Sequence, residues 1–300
     1  MDGIIPIDKP SGPTSAEVVR SIKSRLGKRT RVGHLGTLDP FATGVLPILT
    51  GEGTKLAPFL QEGEKEYAGL IVLGAETDTL DRTGEIVSTA AVPALDSVRL
   101  ASVAAGFIGI IEQTPPVFSA IKRGGVPLYK MARGGGEVEP PPARNVEIMR
   151  LELEEVRDAC IRFTVVCSSG MYVRSLARDI GRALGTAAHL AELRRRRNGQ
   201  FTLEGASPLE RVIGALDQGG EIAFIGLRDA MPGLPEVEVD AAIERRLRNG
   251  DSRALDLLAP RGAKLFKVIA RGELLAIAQA TSRVTAVIVR VFGTDPIVAR

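Results

Sequence analysis

The run Gly33-His34-Leu35-Gly36-Thr37-Leu38-Asp39-Pro40-Phe41-Ala42-Thr43-Gly44-Val45-Leu46-Pro47 constrains this chain more than any other part of it. Gly33, Gly36 and Gly44 permit backbone angles or close approaches that a Cβ forbids, and Pro40 restricts Asp39 to extended or turn geometry. Asp39 is the single carboxylate in the run, set among apolar Leu38, Phe41, Val45 and Leu46, with His34 upstream. The stretch therefore reads as a tight loop that displays one acid. Two uses fit the spacing: Asp39 caps a short helix beginning at Pro40, or it is presented for chemistry.

Around the loop, short apolar strands alternate with amphipathic helices. Residues 3–9 read as a strand, and Thr14-Ser15-Ala16-Glu17 forms a capping box for a helix whose apolar face carries Val18, Val19, Ile22 and Leu26 before Gly27. Strands are predicted at 46–49 and 66–73, a short helix at 54–59, and a turn at Asp78, Asp81, Arg82 and Gly84 leading into 85–88. Residues 98–108 read as a helix capped by Ser97. Prolines and glycines mark about 113–144 as a long surface segment with little regular structure, whose Lys122, Arg123, Lys130 and Arg133 suit phosphate contacts. Residues 146–156 and 159–168 pair as strands across Arg157-Asp158, and the chain then enters a helix that stops near Gly185. After Pro232-Gly233-Leu234-Pro235 the texture changes to an amphipathic stretch at 241–248 and short strands at 264–269, 273–279 and 284–291.

Composition narrows the function. Three hundred residues with a formal net charge of +3 give only a mildly basic chain, but the charge is clustered. Arg20, Lys23, Arg25, Lys28, Arg29 and Arg31 follow one another without an intervening acid, and Arg194-Arg195-Arg196-Arg197 forms a second block. Two such blocks flanking a candidate site read as a phosphate-binding footprint. Cys160 and Cys167, seven residues apart in one predicted strand, face opposite ways and cannot bridge to each other. With His34 and His189 as the only histidines and no C-x-x-C, neither a zinc site nor another metal is expected. No signal peptide or membrane span is read, so a cytoplasmic location is expected.

The loop word G-H-L-G-T-L-D-P-F-A-T-G-V-L-P resembles the signature of the TruB family of pseudouridine synthases. Four further words agree in order: Lys65-Glu66-Tyr67 with K-x-Y, Gln113-Thr114-Pro115-Pro116 through Ser119-Ala120-Ile121-Lys122, Gly170-Met171-Tyr172-Val173-Arg174 with G-x-Y-x-R, and Leu190 to Arg195 with L-x-x-L-R-R. Leu35 and Met171 depart from the family's usual residues without touching a catalytic position. The resemblance implies an α+β pseudouridine synthase fold with an antiparallel-rich mixed sheet and a central cleft at 1–231, interrupted by an RNA-clamping insertion at about 113–144. A small, mostly β PUA-like RNA-binding domain would follow at 235–300. It implies isomerisation of uridine 55 in the TψC loop of tRNA with Asp39 as the catalytic carboxylate and Arg174 paired to it. Tyr67 would stack on the base, Tyr172 line the pocket, Leu193 pack on the uracil and His34 contact RNA. No cofactor is implied, and the partner is the T-arm of tRNA bound by a monomer.

Two other readings use the same cleft. One is the RNA-guided, dyskerin-like branch, which usually carries a longer basic extension before its first strand; a strand starting at residue 3 favours the stand-alone form. The other is a tRNA-folding chaperone that binds without catalysis, against which the Asp39, Tyr67 and Arg174 set argues.

Overall fold

The computed structural model describes residues 1–134, 138–157, 159–282 and 285–293. Its spine is one mixed sheet, eleven-stranded among the described residues. The order along it is Ser207–Pro208, Gly3–Lys9, Thr43–Thr50, Ala188–Asn198, Lys65–Leu73, Cys160–Cys167, Arg144–Arg157 and Gly109–Gln113. The pairs Gly3–Lys9 with Ser207–Pro208 and Ala188–Asn198 with Thr43–Thr50 are parallel, and the other neighbours on this path are antiparallel. Gly3–Lys9 and Thr43–Thr50 are buried along nearly their whole length, as expected of apolar runs covered on both faces.

Helix Val173–Ala183 packs on the Ala188–Asn198 strand and buries Val173, Leu176, Ala177 and Ile180 in the main core. Its Gly181 lies so close to that strand that a Cβ would stand 2.5 Å from Ala188 Cβ. The helix Ser15–Leu26 starts at the expected capping box: Thr14 accepts from the Glu17 amide at 3.1 Å and the Glu17 carboxylate accepts from the Thr14 amide at 2.8 Å. A 3₁₀ turn at Gly51–Leu56 running into Ala57–Leu60 stands where a short helix was expected.

Several expectations are corrected. The cap of the next helix is Asp96, whose carboxylate accepts from the Arg99 amide at 2.7 Å; Ser97 is the first helical residue, and the helix ends at Ala105. The arginine block is part of the central eleven-residue strand Ala188–Asn198, so its side chains alternate between faces. Within 113–144 the described residues form two two-residue strands, Lys122–Arg123 and Val126–Pro127, and the helix Leu128–Arg133. Residues 135–137, the Arg133 side chain and Asp158 of the expected strand turn lie outside the described residues.

A second sheet follows at the C-terminal end, ordered Glu236–Val239, Leu265–Ala270, Glu273–Ala280, Ala286–Val291, with the helix Ala241–Arg248 between its first two strands. The strand expected from 284 begins at Ala286, and residues 283–284 and 294–300 lie outside the described residues. Ile269, Leu274, Ile277 and Phe292 of this part share one apolar cluster with Ile4, Leu35, Val45, Leu49 and Leu56 of the first. The second sheet is thereby packed against the back of the loop that carries Asp39. Among the described residues no helix is long and apolar enough to cross a membrane.

Candidate active site

The Asp39 loop is held from three sides. On the first, Lys9 ends its strand fully buried and donates to the carbonyls of Pro10 and Pro13 at 2.8 Å and of Pro40 at 3.2 Å. On the second, Ser15 Oγ accepts from the Leu38 amide at 2.9 Å and donates to the Leu38 carbonyl at 3.1 Å, tying the loop to the helix start. On the third, the guanidinium of Arg195, 1% exposed, donates to the carbonyls of Val45 at 2.8 Å, Gly36 at 3.0 Å and Thr37 at 3.4 Å. Asn198 adds a contact of its own, donating to the Leu35 carbonyl at 2.7 Å.

Pro40 does not start a helix. The Ala42 amide donates to the Asp39 carbonyl at 3.1 Å, closing a turn, and the Asp39 carboxylate points away to Arg174. Gly44, at φ +107°, is required: a Cβ there would stand 2.2 Å from the Arg195 carbonyl oxygen. Gly36 also has a positive φ, of +78°, whereas Gly33 sits in the strand Val32–His34 with open space around it and needs no glycine.

Arg174 projects from the first turn of Val173–Ala183 and meets Asp39 as a fork, Nε to Oδ2 at 2.9 Å and Nη2 to Oδ1 at 3.1 Å. Such bidentate pairs fix orientation as well as charge. The guanidinium is 7% exposed and its remaining donors are used: Nη1 donates to the Thr79 carbonyl, Nη2 to the Phe118 carbonyl, both at 3.0 Å, and Asp81 Oδ2 lies 3.6 Å from Nη1. The Asp39 side chain retains 31% exposure, so one acid is anchored yet open to a ligand. Burial pushes its carboxyl above the usual aspartate range, Arg174 pulls it back, Asp81 pushes it further up and Lys9 pulls it down.

Tyr67 and Leu193 lie on adjacent strands, with Tyr67 opposite Arg195 and Leu193 opposite Gly69, which places both on one face. Each is 7% exposed and both belong to the core cluster that contains Leu38 and Phe41 from the loop. Burial raises the Tyr67 phenol above its ordinary value, while the Arg195 guanidinium beside it acts in the opposite sense. Tyr172 is half-buried at the start of the Arg174 helix; its amide donates to Gln113 Oε1 at 2.8 Å and Gln113 Nε2 donates to its carbonyl at 3.2 Å. The Arg144 guanidinium stacks 4.8 Å from the Tyr172 ring centroid. His34 is half-buried, its Nδ1 has no hydrogen-bond partner, and burial and Arg195 both lower its pKa, so the imidazole is neutral.

Asp39 and Arg174 are thus in direct contact, and Tyr67 and Leu193 share one face of the sheet; His34 ends the strand that enters the loop, five residues before Asp39. Sequence reasoning missed Asp81, Lys9, Arg195 and Gln113. Within the arginine block, read from the sequence as part of a phosphate footprint, Arg195 is internal, while Arg194 pairs with Asp8 at 2.8 Å and Arg197 with Glu64 at 2.9 Å and both stay partly exposed. In the first basic cluster Lys23, Lys28 and Arg29 remain exposed, with no ion pair among the described residues. Next to the loop a cleft of about 430 Å³ opens between Gly36, Lys65 and Ser169-Gly170.

The chain is similar to known proteins over most of its length. The family described as TruB family pseudouridylate synthase, N-terminal domain, matches residues 23–173. The tRNA pseudouridylate synthase B C-terminal domain matches residues 174–220, so the second sheet lies beyond both matches. The chain is 45% identical over 252 residues to tRNA pseudouridine synthase B of Geobacter sulfurreducens, covering 83% of this chain and 82% of the relative. It is 42% identical over 282 residues to tRNA pseudouridine synthase B of Aromatoleum aromaticum, covering 93% and 89%. Among solved structures, the chain is similar to one in a Cbf5–Nop10–Gar1 complex, with a TM-score of 0.72 at 28% identity over 97% of this chain and 85% of that one.

Proposed function

The chain belongs to the TruB family of pseudouridylate synthases and is an isomerase that makes pseudouridine in tRNA; from that premise we propose that its target is uridine 55 of the TψC loop and that Asp39 is its catalytic carboxylate. The observation that carries the reading is the fork between Asp39 and Arg174, which holds one oriented acid while leaving it partly exposed.

Isomerisation breaks the bond from uracil N1 to the ribose C1′, turns the base and joins C5 to C1′. The uridine first leaves its stack, at a cost of a few kcal/mol. Exposed Lys23, Lys28 and Arg29 on and after the first helix, with the 113–144 segment and the PUA-like module at 235–300, offset that cost through contacts to the T-arm backbone. In the pocket Tyr67 and Leu193 hold the two faces of the uracil while permitting rotation, and Tyr172, steadied by Gln113 and Arg144, lines the wall. Arg174 keeps the Asp39 carboxylate oriented, and the ionised form serves equally for attack and for proton abstraction. His34, neutral and without a partner at Nδ1, offers its ring to the RNA. A single chain working in the cytoplasm suffices for this scheme.

The test is tritium release from T-arm stem–loop RNA carrying [5-³H]uridine, with wild type and Asp39→Asn side by side. Release by wild type alone, with RNA binding kept in both, supports the reading. Release by neither, with both binding, replaces it with a different RNA substrate or a chaperone role.

A further inference from the structure

Lys65 opens the strand Lys65–Leu73 at the end of the sheet, between Cys167 on one neighbouring strand and Asn198 on the other. The residue is only 8% exposed, what exposure remains opens on the neighbouring cleft, and its side chain makes no hydrogen bond or ion pair among the described residues. A buried cation is normally paired, because removing it from water costs several kcal/mol. Its strand neighbours supply no counter-charge: Asn198 is neutral, and burial pushes the Cys167 thiol up to about 12, so it stays protonated. Instead, positive charge accumulates. Arg195 Nη1 and the Asn198 amide converge with Lys65 beneath Gly36, where an added Cβ would meet them at 3.4, 3.7 and 3.9 Å.

The ammonium lines the cleft of about 430 Å³ walled by Gly36, Ser169 and Gly170, with exposed Glu62 and Gln61 at its rim. Glu62 does not reach Lys65, and its charge is turned to water. Arg144 donates to the Gly170 carbonyl on the opposite lip and adds a second cation there. The chemistry that completes this arrangement is a singly charged oxyanion able to accept from Lys65. The distance to the reaction is short. Gly36 precedes Asp39 by three residues, a span of at most about 10 Å even if extended, which is about three nucleotides at the roughly 3.4 Å rise of a stacked duplex strand and fewer where the strand is splayed.

We propose that Lys65, at the floor of this cleft, is the seat of one backbone phosphate of the RNA within three nucleotides of the target uridine. This rests on the tRNA reading above and adds to it a site that holds the strand in register while the base is turned. Lowering of the Lys65 pKa by burial and by Arg195 means that the seat is under-compensated until the phosphate arrives.

The experiment measures binding of T-arm stem–loop RNA to the whole protein as a function of salt, for wild type, Lys65→Met and Lys65→Arg. RNAs with single uncharged methylphosphonate linkages, moved one position at a time around the target uridine, complete the set. The expected result is that Lys65→Met binds about tenfold more weakly with a salt slope smaller by about 0.7 to 1, that Lys65→Arg retains the slope, and that one linkage weakens wild type about tenfold but leaves Lys65→Met unaffected. Wild-type slope and affinity in Lys65→Met, or additive losses at every linkage, would overturn the seat and leave the tRNA reading intact. The scan on wild type needs no variant to fold: if no neutralised linkage within three nucleotides weakens binding, the proposal fails. A wild type that does not bind the stem–loop at all overturns both readings.

Discussion

Asp81 stands behind Arg174, its Oδ2 3.6 Å from Nη1, so the guanidinium that grips Asp39 is shared between two carboxylates. The two neighbours act on Asp39 with opposite sign: Arg174 lowers its pKa and Asp81 raises it. On the proposed role of Asp39, activity needs the ionised acid and is lost as pH falls through the Asp39 pKa. Asp81→Asn, which preserves shape and an acceptor for Arg174, therefore moves the acid limb of kcat/KM to lower pH. Arg174→Met moves it to higher pH and lowers kcat by a factor on the order of 10². Profiles that shift in the same direction in both variants would refute the shared fork.

Arg195 joins the two ends of the Asp39 loop, since its donors reach Gly36 and Thr37 before the acid and Val45 after it. Three carbonyls in fork-like array suit a planar guanidinium and not a point charge. Arg195→Met should cost on the order of 3 kcal/mol in urea unfolding, and Arg195→Lys should recover part of it. Where both remain folded, kcat falls by a larger factor than KM for the stem–loop rises, because the role proposed for the loop is first of all to place the acid.

Gly44 and Gly33 look alike in the sequence but differ in the fold. Gly44→Ala drives a methyl group into the backbone of Arg195, its parallel partner, and combines that clash with an unfavourable φ. The loss should exceed about 3 kcal/mol, whereas Gly33→Ala, with open space at its Cβ, should stay within about 1 kcal/mol. Urea midpoints of the two variants decide the matter.

What was legible had local causes. The Thr14–Glu17 capping box, the apolar strand Gly3–Lys9 and the helix opening at Val173 each carry their signal within a few residues. Four arginines in succession carry none: only the pairing of Arg195 with Tyr67 on one side and Gly44 on the other determines which of them turns inward. Asp81 sits in a polar turn whose composition is that of any turn, and it reaches Arg174 through tertiary packing alone. Lys9 closes an apolar strand and reads as its soluble end, yet three carbonyls brought back by the turn at Pro10–Pro13 and by Pro40 enclose it.

That enclosure predicts a pH signature for stability. Burial brings the Lys9 ammonium down to about 8, against the pull of Asp39, while in the unfolded chain it titrates at 10.5. Between those values the unfolded chain holds a proton that the folded one has lost, so this group's contribution to stability rises with pH across the window. Below about 8 both states are protonated and the burial penalty is constant. Lys9→Met leaves three carbonyls without their donor, at a cost of about 1–3 kcal/mol at neutral pH, and removes the slope. The gap in unfolding free energy between wild type and Lys9→Met should therefore widen from pH 8 to 10.5 in urea titrations. A gap that stays flat would mean that the carbonyls and Asp39 outweigh burial, and that a permanent cation stands beside the acid throughout the working range.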